Sequence, residues 1–193
     1  MSEEFWRGAD LAQVQFELQC DADVNATGMF YVTPLHYAAQ LNDDSAVIQA
    51  LLDAGADPNA ADEGAWTPLH SAARHNEHLP VIQLLLDAGS DTNAEDVTGQ
   101  TTLHAAAGGN KNPAVTQSLL DAGADIDAVT QHSRTALHLA ASKNENVAVL
   151  QVLLNAGADI KAEDMDGNTP LQLALESNEN AAVIQVLEKA EDN

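Results

Sequence analysis

Three histidines and one acid lie close together in the segment TPLHSAARHNEHLP, residues 67–80. Imidazole and carboxylate groups are common zinc ligands, so His70, His75, Glu77 and His78 could form a metal centre, and a zinc centre could support hydrolysis. The spacing argues against this chemistry. His70 and His75 are five positions apart and do not share a helix face, and His78 lies beyond the point where we expect that helix to end. We therefore predict no metal ligands and no catalytic residues here.

The same segment is part of a repeat of 34 residues. TPLH or a close variant begins at Thr33, Thr67, Thr101, Thr135 and Thr169, and DAGAD or a close variant ends at Asp57, Asp91, Asp125 and Asp159. Threonine followed by proline is typical of a helix N-cap and first turn. Apolar residues four apart, such as Val47 and Leu51, predict a second helix. Each unit is therefore a short first helix, called inner here, and a second, outer helix.

Both helices of a unit have a predicted terminator. An asparagine recurs at the tenth position of each unit, as at Asn76, and a glycine follows each outer helix, as at Gly55. Both residue types tolerate the left-handed backbone conformation that ends helices. We expect both to adopt it.

This pattern of helix, turn, helix and loop resembles the ankyrin repeat, and the resemblance covers essentially the whole chain. It implies an all-α solenoid of helix-turn-helix units joined by β-turn or hairpin loops. The unit is one residue longer than is usual in the family, between the inner and outer helices. We expect one array over residues 1–193, in which repeats start near residues 27, 61, 95, 129 and 163.

Both ends of the array are expected to act as caps. Residues 1–26 form the N-terminal cap, in which 5–20 align with a lone outer helix and Asp21 takes the glycine position. The last repeat forms the C-terminal cap, because Glu188 and Glu191 replace a leucine and a glycine of the other units. The resemblance also implies a structural hydrogen-bonding role for one histidine of each of the first four units: His36, His70, His104 and His138.

Other catalytic and cofactor patterns do not occur. The sequence contains no phosphate-binding glycine loop, HExxH, GxSxG or CxxC motif. The single cysteine, Cys20, lies beside acids that disfavour a thiolate. We predict that the protein is not an enzyme and binds no cofactor.

Charge and composition limit the partners and the compartment. Seven Lys and Arg against 30 Asp and Glu give a formal net charge of −23, which repels phosphate backbones and anionic lipid. We therefore expect another protein, with a basic or apolar patch, and neither nucleic acid nor membrane, as the partner of a monomer. The N-terminus has no signal-peptide pattern, so the default location is the cytoplasm. An export signal removed from the sequence is the alternative.

The family typically binds its partners through the loop tips and the inner helices, so the resemblance points to the variable residues there. Aromatic and cationic side chains at these positions have the composition of an interface hot spot. The candidate protein-binding residues are Phe30, Tyr31, Leu41, Trp66, Arg74, His75, His132, Arg134 and Lys143. The alternative role for the aromatic residues is to cover the N-terminal cap.

The third unit differs from the others. Thr102 replaces proline, Gly108 and Gly109 end the inner helix, and Thr116 replaces isoleucine. Each change weakens helix formation or packing. We expect a less stable middle repeat and a recess on the inner face beside the two glycines.

The favoured function is a non-catalytic protein-binding scaffold. Two alternatives stay open from the sequence. One is a secreted or periplasmic inhibitor or effector that blocks a specific enzyme, and the other is a protein whose period-spaced acids make it dependent on salt or calcium.

Overall fold

A computed structural model describes residues 3–20, 22–178 and 180–191, and the regular structure in these ranges is helical, without a strand. Two helices precede the first loop: α1 (Glu3–Gly8) and α2 (Leu11–Gln19). The inner helices are α3 (Pro34–Leu41), α5 (Pro68–His75), α7 (Thr102–Gly109), α9 (Ala136–Lys143) and α11 (Pro170–Ser177). The outer helices are α4 (Ser45–Asp53), α6 (Leu79–Asp87), α8 (Pro113–Asp121), α10 (Val147–Asn155) and α12 (Ala181–Glu191). No described helix is long and apolar enough to cross a membrane.

The helices stack in two layers. Each inner helix contacts the inner helix of the next unit, and each outer helix contacts the next outer helix. The core lies between the layers, where leucines such as Leu69 and Leu103 and valines such as Val81 and Val115 are fully buried. Threonines N-cap all five inner helices, as predicted. The array is thus an all-α solenoid in which every unit is positioned by its neighbours.

The loops that connect successive units form a second continuous element. The first to fifth loops are residues 28–32, 62–66, 96–100, 130–134 and 164–168. Each is closed by a hydrogen bond from its first amide N–H to its last carbonyl, at 2.9–3.0 Å. The second to fifth loops also donate to the loop before them; for example, Glu63 N–H donates to Phe30 O at 2.8 Å and Val97 N–H to Gly64 O at 3.0 Å. These bonds fix the loop tips side by side along one edge.

The asparagines end the inner helices by a different mechanism from the predicted one. Asn76 and its four equivalents have extended backbone, with φ of −102° and ψ of 118° at Asn76, so the left-handed prediction is wrong. The Asn76 Nδ2 amide instead donates to Ala39 O and Asn42 O of the preceding unit, and its Oδ1 accepts from the N–H of His78. The last carbonyls of one inner helix are therefore satisfied by the next unit. The glycine prediction is confirmed, since Gly55 has a φ of 90°.

A second asparagine ladder joins the ends of the outer helices. Asn59 Nδ2 donates to Gly89 O, and its Oδ1 accepts from Asp91 N–H. Asn25 and Asn93 make the same pair of bonds in their units. Asp127 occupies the next equivalent position, where a carboxylate cannot donate, and the ladder stops there.

The N-terminal cap is not the lone helix predicted for residues 5–20. The chain forms α1 and α2, which are separated because Asp10 starts a new helix. Its carboxylate accepts from Gln13 N–H at 2.8 Å, and Gln13 Oε1 accepts from Asp10 N–H at 3.0 Å, which is a capping box. α1 packs on α3 and α2 on α4, so the cap is a shortened helix pair. The expectation for Asp21 lies outside the described residues.

Candidate functional site

The first loop presents two exposed aromatic side chains on a strained backbone. Phe30 and Tyr31 are 63% and 65% exposed, and neither is part of the hydrophobic core. Both have left-handed backbone, with φ of 60° and 61°. Such a conformation costs roughly 1–2 kcal/mol for a residue with a side chain. In the N-terminal helices, Phe5 packs edge-on against Trp6.

The strain at Tyr31 is set by the shape of the loop. The equivalent residues of the other four loops also have positive φ, and two of them are glycines: Ala65, Gly99, Ser133 and Gly167. The residues equivalent to Phe30 in the other described loops do not have positive φ. Apart from Phe30 and Tyr31, the described loop residues with positive φ are the four equivalents of Tyr31. The first loop therefore carries one more strained residue than its neighbours.

Trp66 in the second loop is held by a neighbouring unit. Its indole N–H donates to Asp96 Oδ2 at 3.0 Å, and its ring lies 5.6 Å from the His70 ring. The Arg74 guanidinium sits 5.8 Å from the indole centroid, within reach of a cation–π contact. Burial raises the pKa of Asp96, but hydrogen bonds from Thr98, Gln100 and Trp66 outweigh it, and the pKa lies below its ordinary value. Asp96 is therefore a charged anchor for the Trp66 ring.

Arg74 fills the recess predicted beside Gly109. A Cβ at Gly109 would lie 2.6 Å from Arg74 Cγ and 3.1 Å from Arg74 O. The glycine is thus required by the close approach of the arginine, and the predicted open recess is wrong at this position. The result is a half-buried arginine fixed between Trp66 and α7.

Arg134 in the fourth loop occupies the position that Trp66 has in the second. Its Nε donates to Asp164 Oδ2 at 3.0 Å, and Asp164 is buried. Burial raises the pKa of Asp164, but hydrogen bonds from the Asn168 amide and the Arg134 guanidinium dominate and hold the pKa below its ordinary value. In both loops an aspartate of the next unit fixes the side chain. The sequence contains a signal for these two contacts. Asp96 and Asp164 occupy equivalent positions of the repeat, because they are 68 residues, or two repeat lengths, apart.

The other candidate residues lie apart from the first loop. Leu41 and His75 end successive inner helices; Leu41 is half-buried against the core, and His75 is exposed. His132 is exposed on the fourth loop. Lys143 lines a polar groove of about 460 Å³ near the end of α9. Seven of the nine candidates therefore form three separate groups: an aromatic tip at the first loop, the Trp66–Arg74 pair, and a basic region at the fourth unit. Leu41 and His75 lie at the ends of α3 and α5.

The four repeated histidines have the structural role implied by the resemblance. At His70, Nδ1 accepts from Thr67 N–H at 3.2 Å, so Nε2 carries the proton and donates to Gln100 O at 3.2 Å. His36, His104 and His138 make the equivalent bonds, each linking a helix start to the next loop. Burial lowers the pKa of all four, although the carbonyl at Nε2 partly opposes it. Both ring nitrogens of His70 are thus occupied.

The cluster that opened the question of a metal centre is dispersed in the fold. His70 is buried, while His75 is exposed on the last turn of α5 and His78 Nε2 lies 3.3 Å from Asp43. Across residues 3–20, 22–178 and 180–191, no three His, Cys, Asp or Glu side chains lie close enough together to hold one metal ion. The period-spaced acids cap their own turns, as Asp57 does for Asn59 N–H at 2.9 Å.

Comparison with known proteins agrees with the architecture. A family model described as ankyrin repeats, in three copies, matches residues 6–96, 78–164 and 103–193, so its matches together span residues 6–193. No curated protein matches the chain. The chain belongs to the ankyrin-repeat family, whose members serve in general as non-catalytic scaffolds for protein–protein interaction.

Proposed function

We propose that the protein is a non-catalytic scaffold that binds one partner protein mainly through its first loop. The observation that supports this most is the pair of exposed aromatic rings, Phe30 and Tyr31, on left-handed backbone. Neither ring stabilises the core, and the backbone strain opposes folding. A binding role explains why Tyr31 stands where two other loops have glycine, Gly99 and Gly167.

The first loop has the composition of a binding hot spot. Met29 precedes the two aromatic residues and is 76% exposed, so three large apolar side chains are adjacent at one tip. Exposed apolar clusters of this kind are typical of interaction sites, and truncation of one central aromatic residue commonly costs about 2 kcal/mol or more in binding. The loop-to-loop hydrogen bonds hold this tip in place before binding, which lowers the entropy lost on association.

Further contacts are expected along the same edge and inner face. Arg74 is held against the Trp66 ring and offers a pre-positioned cation. His132 and Lys143 lie further along the array and are exposed. We assign these side chains a peripheral role, because they are spread over several units, whereas the apolar side chains are concentrated at the first loop.

Charge narrows the class of partner. The net charge of −23 disfavours nucleic acid and anionic membrane and favours a protein with a basic or apolar patch. The same charge opposes self-association, so we expect a monomer. Separately, we propose the cytoplasm as the location.

The test is capture of partners from lysate by three forms of the protein. The variant Phe30→Gly/Tyr31→Gly removes both rings and relieves the left-handed strain, so it should fold at least as well as the wild type. Phe16→Ala is the matched control, because Phe16 is also 63% exposed but lies on α2. A partner retained by the wild type and the control but lost by the glycine variant supports the proposal. Equal capture by all three forms would refute the first-loop assignment.

A further inference from the structure

A groove lies between the first loop and the N-terminal helices. It encloses about 500 Å³ and has one apolar wall and one acidic rim. Val32 and Tyr37 are the accessible residues of the wall, whereas Trp6 and Pro34 also line it but are buried; the rim includes Glu17 and Asp23.

The groove occurs where the repeat pattern is incomplete. By the 34-residue period, α1 corresponds to residues 37–42, the second half of α3 and its terminating position. In the five units, a loop and the first turn of an inner helix precede the part that corresponds to α1. No described residues correspond to this loop and this turn at the N-terminal end.

Two backbone groups of the first loop lack the partners that their equivalents have. Glu63, Val97, Gln131 and Met165 each donate an N–H to the preceding loop, whereas the equivalent Met29 N–H has no acceptor in the described part of the chain. Trp66 O accepts both from Asp62 N–H and from His36 Nε2, whereas among the residues that the structure describes Val32 O accepts only from Gly28 N–H. The first loop therefore has one free donor and one incompletely used acceptor.

We propose that this groove binds an extended segment of the partner protein in which apolar and basic side chains alternate. The inference rests on the proposed function and names the part of the partner that enters the site. An extended backbone has free carbonyl and N–H groups, so it can accept from Met29 and donate to Val32, whereas an α-helix uses these groups internally.

Side-chain alternation fits the two sides of the groove. Successive side chains of an extended segment point in opposite directions. One set contacts the apolar wall at Val32 and Tyr37, and the other lies along the rim at Glu17 and Asp23. Basic side chains complement the negative charge of this rim. A second copy of the chain is disfavoured as the occupant, because it would bring a further net charge of −23 to the rim.

The experiment is an NMR titration of the full-length, ¹⁵N-labelled protein at physiological salt. The added peptide alternates lysine with leucine and tyrosine, and a second peptide has glutamate in place of each lysine. We expect the lysine peptide to shift the Met29 amide and the Trp6 indole resonances. Glu17→Lys should weaken this binding about three- to tenfold. Glu176→Lys, which makes the same charge change on α11, should leave it unchanged.

Several outcomes would overturn the inference. These are equal binding of both peptides, equal weakening by Glu17→Lys and Glu176→Lys, and shifts that avoid Met29 and Trp6. Concentration-dependent shifts of these resonances without peptide would assign the groove to a second copy of the chain.

Partner capture separates this inference from the proposed function. If Phe30→Gly/Tyr31→Gly weakens partner binding and Glu17→Lys leaves the partner's dissociation constant unchanged, the groove assignment alone fails. If it is retained by the glycine variant and lost with Glu17→Lys, the first-loop assignment fails instead.

Discussion

Replacement of Asn110 by glycine distinguishes two explanations of how the inner helices end. Asn110 is 1% exposed. Its Nδ2 donates to Ala73 O at 2.8 Å and to Asn76 O at 2.9 Å, and its Oδ1 accepts from Asn112 N–H at 2.9 Å. If asparagine only provided a tolerant backbone, glycine would serve equally well. If the ladder stabilises the array, glycine removes all three bonds.

The expected loss of stability follows from these bonds. Each buried hydrogen bond contributes about 1 kcal/mol net, and the carbonyls left without a donor add to the loss. We therefore expect Asn110→Gly and Asn110→Ala to lower the free energy of unfolding by about 3 kcal/mol. Asn178→Gly removes equivalent bonds at the end of the array, where water reaches the site, and should cost less.

Urea unfolding followed by far-UV circular dichroism gives the comparison, provided that the denaturant slope is unchanged between variants. Hydrogen exchange of α5 and α7 locates the effect, because repeat arrays can open locally. An Asn110→Gly variant as stable as the wild type would refute the ladder explanation.

Three further predictions concern stability. Burial lowers the pKa of His104 below its unfolded value of 6.5. As the pH falls, His104 is therefore protonated in the unfolded state before it is protonated in the folded state. The free energy of unfolding consequently decreases from about pH 6.5 down to the folded pKa. His104→Gln keeps the capping geometry that Gln172 shows, so its free energy of unfolding should fall less steeply with acid, by at most about 1.4 kcal/mol per pH unit; parallel profiles would contradict this. Thr116→Val should raise the free energy of unfolding by about 1 kcal/mol, because the buried Thr116 hydroxyl has no hydrogen-bond partner in the described structure; a less stable variant in urea would argue against it. Asp127→Asn should extend the ladder to Gly157 and raise the thermal midpoint, and an unchanged midpoint would show that the ladder does not reach this unit.

Much of the fold could be predicted from the sequence because its repeat makes each signal recur. Thr67 followed by Pro68, and Gly55 after an outer helix, specify local backbone geometry that neighbouring units do not alter. The break in the N-terminal cap was missed because the capping box of Asp10 and Gln13 lies outside the repeat pattern.

Contacts between units were harder to predict from the sequence. The role of Asn76 depends on carbonyls 34 and 37 residues earlier, and its residue type fits a left-handed terminator equally well. Arg74 and Gly109 are likewise complementary only after stacking. At the candidate site, the sequence identified the residue types of Phe30 and Tyr31, but the exposure of their rings and the strain at Phe30 required the structure.

The most direct test of the central claim is the dissociation constant of the captured partner, measured by calorimetry for the wild type, Phe30→Gly/Tyr31→Gly and Phe16→Ala. We expect at least about tenfold weaker binding by the glycine variant, together with unchanged or greater stability, and wild-type affinity for the control. Equal dissociation constants for all three forms, with the glycine variant folded, would contradict it.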